Sequence, residues 1–70
     1  MNIRFNGDAI FLAEPQTLLQ VMQSQLNDSE MVLKRSVVAV NQSLIPKNEW
    51  QDYTLQENDE IEVLTAVVGG

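Results

Sequence analysis

The pair Asn6-Gly7 constrains the fold of this chain more than any other pair. It separates Ile3-Arg4-Phe5 from Ala9-Ile10-Phe11-Leu12, two short runs rich in β-branched and aromatic side chains. Asn and Gly accept the two positive φ angles of a type I′ turn, whose twist matches that of the flanking strands. The segment therefore reads as an N-terminal β-hairpin, with Asn-Gly as a surface turn serving the fold alone. A lone hairpin is marginal in water and needs more strands or a helix against it. The chain has 70 residues, enough for one core, and such a domain buries only about 60% of its unfolded surface.

Missing residue types narrow the chemistry. There is no cysteine, so no disulfide staples the core and no redox compartment is implied. There is no histidine either, which excludes Cys/His zinc sites and Ser–His or Cys–His nucleophile pairs. The first residues, Met1-Asn2-Ile3-Arg4-Phe5-Asn6-Gly7, lack the apolar run of a signal peptide, and no stretch approaches the ~20 apolar residues of a membrane span. The expectation is a cytoplasmic protein that is monomeric when free, with no membrane association.

The formal net charge is −6, which repels phosphate backbones and argues against nucleic acid. Glu49, Asp52, Glu57, Asp59, Glu60 and Glu62 all follow Lys47, the last basic residue. One reading is a solvated face that keeps a small domain soluble. The other is steering toward a basic partner surface. Glu60 and Glu62 alternate with Ile61 and Val63, which places both acids outward.

After the hairpin, Glu14-Pro15-Gln16 breaks the strand pattern and Thr17 opens a helix, with Gln20 three residues on completing a capping box. Leu18, Met22 and Leu26 recur at helical spacing beside Leu19 and Val21, an apolar stripe read as core. Asn27-Asp28-Ser29-Glu30 ends the helix in polar turn formers. Met31 to Arg35 is ambiguous and is read as a continuation of that loop. Val37-Val38-Ala39-Val40 is apolar on both faces, as expected of an interior strand. Asn41-Gln42-Ser43 turns the chain, and Leu44-Ile45 is a short strand stopped by Pro46. Lys47 to Gln51 suits one helical turn, with Trp50 read as core rather than interface. Asn58-Asp59 is a turn, and Ile61 to Thr65 is the last strand.

That strand leads into Thr65-Ala66-Val67-Val68-Gly69-Gly70. Two of the three glycines close the chain, a coincidence expected in roughly one chain in 200. Glycine has no side-chain chemistry, so a functional end would act through the α-carboxylate of Gly70. Lacking Cβ, such an end threads a channel too narrow for other residues and turns through φ > 0. The competing reading is a frayed terminus. Two segments follow: a domain over residues 1–66 and a flexible tail over 67–70.

One main helix must cover one face of a mixed sheet of four or five strands. The helix between the hairpin and the next strand makes the crossover that mixed sheets need. This α+β order is that of a β-grasp, the ubiquitin-like arrangement. Its last strand runs through the sheet and delivers the C-terminus to solvent.

The chain resembles the thiamine-biosynthesis sulfur carrier family, ThiS, and more distantly the molybdopterin-synthase small subunit and ubiquitin. The resemblance rests on Ile3-Arg4-Phe5-Asn6-Gly7, Gln16-Thr17-Leu18, Ala39-Val40-Asn41, Ile45-Pro46, Glu49-Trp50, Glu57-Asn58-Asp59-Glu60-Ile61-Glu62 and Val68-Gly69-Gly70. The chain departs from the family's pattern between Leu26 and Ser36, where it is slightly longer. The resemblance implies a protein co-substrate rather than an enzyme, with no catalytic residue and no bound cofactor or metal. An adenylating enzyme would use ATP and magnesium to activate the Gly70 carboxylate. A cysteine desulfurase would supply sulfur as a persulfide, and the thiocarboxylate on Gly70 would donate it through thiazole synthase. Gly69 would give clearance in the partner's channel. Val67 and Val68 would line its entry, although packing along the last strand accounts for them equally. Alternatives of the same shape are a molybdopterin-type carrier, a ubiquitin-like modifier joined to lysines, and an interaction domain whose terminal glycines are accidental.

Overall fold

In the computed structural model, which describes residues 1–27 and 29–66, the hairpin joins β1 (Asn2–Phe5) to β2 (Asp8–Phe11). Asn6 and Gly7 take φ of 48° and 89°, the left-handed region that this turn demands and that Asn and Gly tolerate. Helix α1 (Leu18–Gln25) follows. Its capping box forms as expected: Gln20 N–H donates to Thr17 Oγ1 at 3.2 Å, and Thr17 N–H donates to Gln20 Oε1 at 2.8 Å. Leu18, Val21 and Met22 are buried on one face of α1, and Leu19 and Leu26 pack half-buried beside them.

Residues 31–35 are not a loop. A second helix, α2 (Glu30–Lys34), occupies this stretch, capped by Ser29, whose Oγ accepts from Val32 N–H at 3.4 Å. The local reasons are a serine cap, an acid in the first turn and a lysine in the last, which complement the helix dipole. Leu33 is its half-buried contact with the core.

Strands β3 (Ser36–Val40), β4 (Ser43–Ile45) and β5 (Glu60–Thr65) complete a five-stranded sheet in the order β2-β1-β5-β3-β4. β5 runs parallel to β1 and antiparallel to β3, so the last strand lies in the middle of the sheet. α1 covers one face. Ile3, Phe5, Val38, Val40 and Ile61 point into that layer with Leu12, Leu55 and Trp50. Trp50, after the 3-10 turn Lys47–Glu49, is buried and donates from Nε1 to the Ile45 carbonyl at 2.9 Å. It belongs to the core, as the sequence indicates.

β3 lies inside the sheet, but its apolar run is covered on one face only. Val38 and Val40 are buried, whereas Val37 is 54% exposed. A two-layer fold has one covered face, so the run that reads as doubly buried leaves Val37 in solvent.

Asp59 departs more sharply from the view of the acidic third as a solvated face, being 6% exposed. Its Oδ1 accepts from Asn41 Nδ2 at 2.9 Å, and its Oδ2 accepts from Gln56 N–H at 2.8 Å. Asn41, at φ 51°, in turn accepts from Glu60 N–H at 3.0 Å. The carboxylate therefore ties the β3–β4 turn to the start of β5. Asp59→Ala leaves the Asn41 amide and the Gln56 N–H, donors of two part-buried bonds, without their acceptor and is expected to cost about 2 kcal/mol. Asp59→Asn, which keeps one acceptor oxygen, should cost about half as much. Urea unfolding of the three proteins reads the difference; equal stability of Asp59→Ala and parent would show that the carboxylate is dispensable.

Candidate functional site

The candidate site is the place where β5 leaves the sheet. The proposed site residues Val67, Val68, Gly69 and Gly70 lie outside the described residues; the described chain reaches Ala66. What the structure shows is how the root of that end is held.

Two bonds fasten it to the start of β3. Ala66 N–H donates to the Arg35 carbonyl at 2.9 Å. Ser36, 0% exposed, donates its only hydroxyl proton to the Val32 carbonyl at 2.6 Å. The 2.8 Å contact between Ser36 Oγ and Thr65 Oγ1 is therefore donated by Thr65. A hydroxyl chain thus runs from the end of β5 through Ser36 into α2.

On its other side β5 pairs with β1 only at Arg4↔Glu60 and Phe5↔Ile61. Asn6 prolongs that ladder. Its N–H donates to the Ile61 carbonyl at 2.8 Å, and its Oδ1 accepts from Val63 N–H at 2.8 Å. The Asn-Gly turn, read from sequence as serving the hairpin alone, also supports the strand that leads to the chain end.

The sheet face away from α1 is open. Val37 lies opposite Leu64 and Ala39 opposite Leu44. Leu44 and Leu64 are each 74% exposed, so with Val37 they form an apolar patch immediately before the exit. Glu60 and Glu62 stand exposed on β5, alternating with Ile61 as the sequence indicates.

Charge is arranged along β5. Glu57, whose carboxylate accepts from Asn2 N–H at 2.8 Å, and Glu60 lie at the start of the strand. Arg35 lies at its exit through the bond to Ala66. Lys34 adjoins Arg35, and the Lys47 ammonium touches the Lys34 carbonyl. The described exit of β5 therefore has basic residues beside it, while Glu57 and Glu60 lie toward the other end of the strand.

Among the described residues no group of three or more His, Cys, Asp or Glu side chains could hold a metal. Among them, too, no helix is long and apolar enough to cross a membrane.

Sequence reasoning missed Ser36, Asp59 and the side-chain role of Asn6. Ser36 carries a weak signal, a small polar residue abutting an apolar run.

A five-stranded mixed sheet on one main helix, with a central last strand running to the chain end, defines a ubiquitin-like β-grasp protein. Within that class the chain belongs to the ThiS family, whose family model matches residues 3–70. It is 29% identical over 70 residues to the sulfur carrier protein ThiS of Escherichia coli (strain K12), covering 100% of both chains. The crystal structure of the thiamine biosynthesis protein (ThiS) from Geobacter metallireducens shares the fold with a TM-score of 0.76 at 22% identity, covering 100% of each chain. The solution structure of a thiamine biosynthesis protein from the same organism gives 0.74 at 22% identity, over 100% of this chain and 88% of that one.

Proposed function

We propose that this ThiS-family sulfur carrier protein acts in thiamine biosynthesis by carrying sulfur on the terminal carboxylate of Gly70. The observation that carries the reading is the match over residues 3–70, which runs through the terminal glycines. The central strand that leads to them supports it.

A carboxylate is a poor electrophile and holds no transferable sulfur. In the proposed cycle an adenylating enzyme, with its own ATP and magnesium, joins AMP to the Gly70 carboxylate and releases pyrophosphate. The outer sulfur of a persulfide, formed by a cysteine desulfurase, displaces AMP. A thiol then attacks the donor cysteine's sulfur in the acyl disulfide so formed, giving a disulfide on the donor and a thiocarboxylate on Gly70, which thiazole synthase uses as its sulfur source. Gly69, Val68 and Val67 occupy the partner's channel. The chain's own contribution is a stiff handle: the exit is held by Ser36, Thr65 and Arg35, and the apolar patch of Val37, Leu44 and Leu64 lies next to it. Apolar area of this kind beside a site is the usual mark of a protein contact.

The test is the C-terminal mass of the untagged protein isolated from cells. Replacement of one oxygen by sulfur at the C-terminus is expected. A sulfur-free terminus together with high-mass lysine conjugates would overturn the reading in favour of a modifier.

A further inference from the structure

Only four residues of this chain carry fixed positive charge, namely Arg4, Lys34, Arg35 and Lys47. Lys34, Arg35 and Lys47 come from α2, the residue after it and the 3-10 turn, and the fold brings them to one corner. That corner is the exit of β5: the Arg35 carbonyl holds Ala66 N–H, and the Lys47 ammonium sits on the Lys34 carbonyl at the end of α2. The three side chains are exposed. Glu30 shares the surface of α2 with Lys34 and Arg35, and Glu49 follows Lys47 on the 3-10 turn. Three cations against two acids leave this corner positive within a chain of net −6. The opposite end of β5 starts at Glu60, with Glu57 just before the strand, roughly 16 Å of extended strand from the exit, and Glu62 stands between them.

We infer that Lys34, Arg35 and Lys47 form a cationic collar that seats on an acidic rim around the mouth of the adenylating enzyme's channel. This rests on the function proposed above. The chemistry of the collar fits a protein rim better than a small anion. Its charges sit on long, exposed stems from separate elements, with the Lys47 ammonium braced on the Lys34 carbonyl, rather than inside an enclosed cavity. Complementary charge of this kind sets orientation and association rate more than final affinity. An acidic mouth attracts the exit end of the carrier and repels the Glu57–Glu60 end, so encounters arrive with the chain end first. α2 thereby gains a role: with Arg35, its C-cap residue, it supplies two of the three cations, and it is locked to the exit through Val32, Ser36 and Thr65.

Two substitutions of equal charge separate this from a net-charge effect. Arg35→Glu and Arg4→Glu each replace one positive charge by one negative, taking the net charge from −6 to −8. Both side chains are exposed, and circular dichroism melts check that the fold survives; Lys34→Glu replaces Arg35→Glu if it does not. The measurement is the stopped-flow association rate with the adenylating enzyme of the same organism, across salt concentrations, with adenylation of the parent chain followed in parallel. Arg35→Glu is expected to slow association roughly tenfold at low salt, with the gap closing as salt rises. Arg4→Glu should stay within about twofold of the parent. Equal slowing of both variants, or of neither, with a normally adenylated parent would overturn the collar alone. A parent that is not adenylated at all would overturn the carrier function and the collar with it.

Discussion

A chain carrying one extra residue after Gly70 is expected to fold like the parent and to lose adenylation completely. The fold should not notice, because among the described residues the core and the bonds of the exit are made by Ala66 and residues before it. The chemistry should fail for two separate reasons. The extra residue turns the Gly70 carboxylate into an amide, which has no anionic oxygen to attack the α-phosphorus of ATP. It also moves the new carboxylate by roughly 3.3 Å, while a misplacement of about 1 Å in an active site already costs on the order of 100-fold. ATP–pyrophosphate exchange with the adenylating enzyme measures this directly. Normal exchange by an extended chain that mass spectrometry shows to be untrimmed would mean that Gly70 is not the reacting residue. The modifier reading makes the same demand on Gly70, so this experiment tests the terminus and the C-terminal mass tests its cargo.

What the sequence made legible was local. The Asn6-Gly7 turn and the Thr17–Gln20 capping box each involve residues within three positions of one another, and both form as read. The stripe of Leu18, Val21 and Met22 repeats at helical spacing, so its burial follows from periodicity. Trp50 was legible as core because a lone large aromatic in a small domain has few other places to go. The five-residue helix α2 was missed although its signal is local: Ser29 and Glu30 are an adequate cap and first turn, but a five-residue helix offers no periodicity to detect. The remaining differences are nonlocal. Asp59 is buried because Asn41, across a turn and a strand, supplies a donor to its carboxylate. Val37 is exposed because no second layer covers its side of the sheet, a property of the fold and not of the apolar run. For the candidate site, the sequence points to the terminal glycines, which lie outside the described residues. The Ser36–Thr65 hydroxyl pair, the Arg35–Ala66 bond and the basic corner depend on β3 meeting β5, which no local pattern encodes.

Gly69→Ala is expected to fold with parent-like stability yet to be adenylated about a hundredfold more slowly in kcat/KM. The substitution adds one methyl group beyond the described core, where a change of this size alters stability by no more than about 0.5 kcal/mol. In a channel shaped around glycine the methyl has two ways to do harm. It meets the channel wall, or it disfavours a positive φ that glycine adopts freely and alanine does not. Either effect displaces the Gly70 carboxylate from in-line attack, where small displacements are costly. The motivation lies in composition: the chain has three glycines. Gly7 meets a backbone demand, at φ 89°, and the remaining two stand together at the terminus. A spacer would need no glycine, since serine or alanine is adequate for reach alone. Adenylation rates measured at subsaturating carrier, with thiocarboxylate formation followed by mass, give the readout, and a thermal melt controls for folding. Parent-like turnover of Gly69→Ala would make Gly69 incidental and confine the function of the terminus to the carboxylate of Gly70.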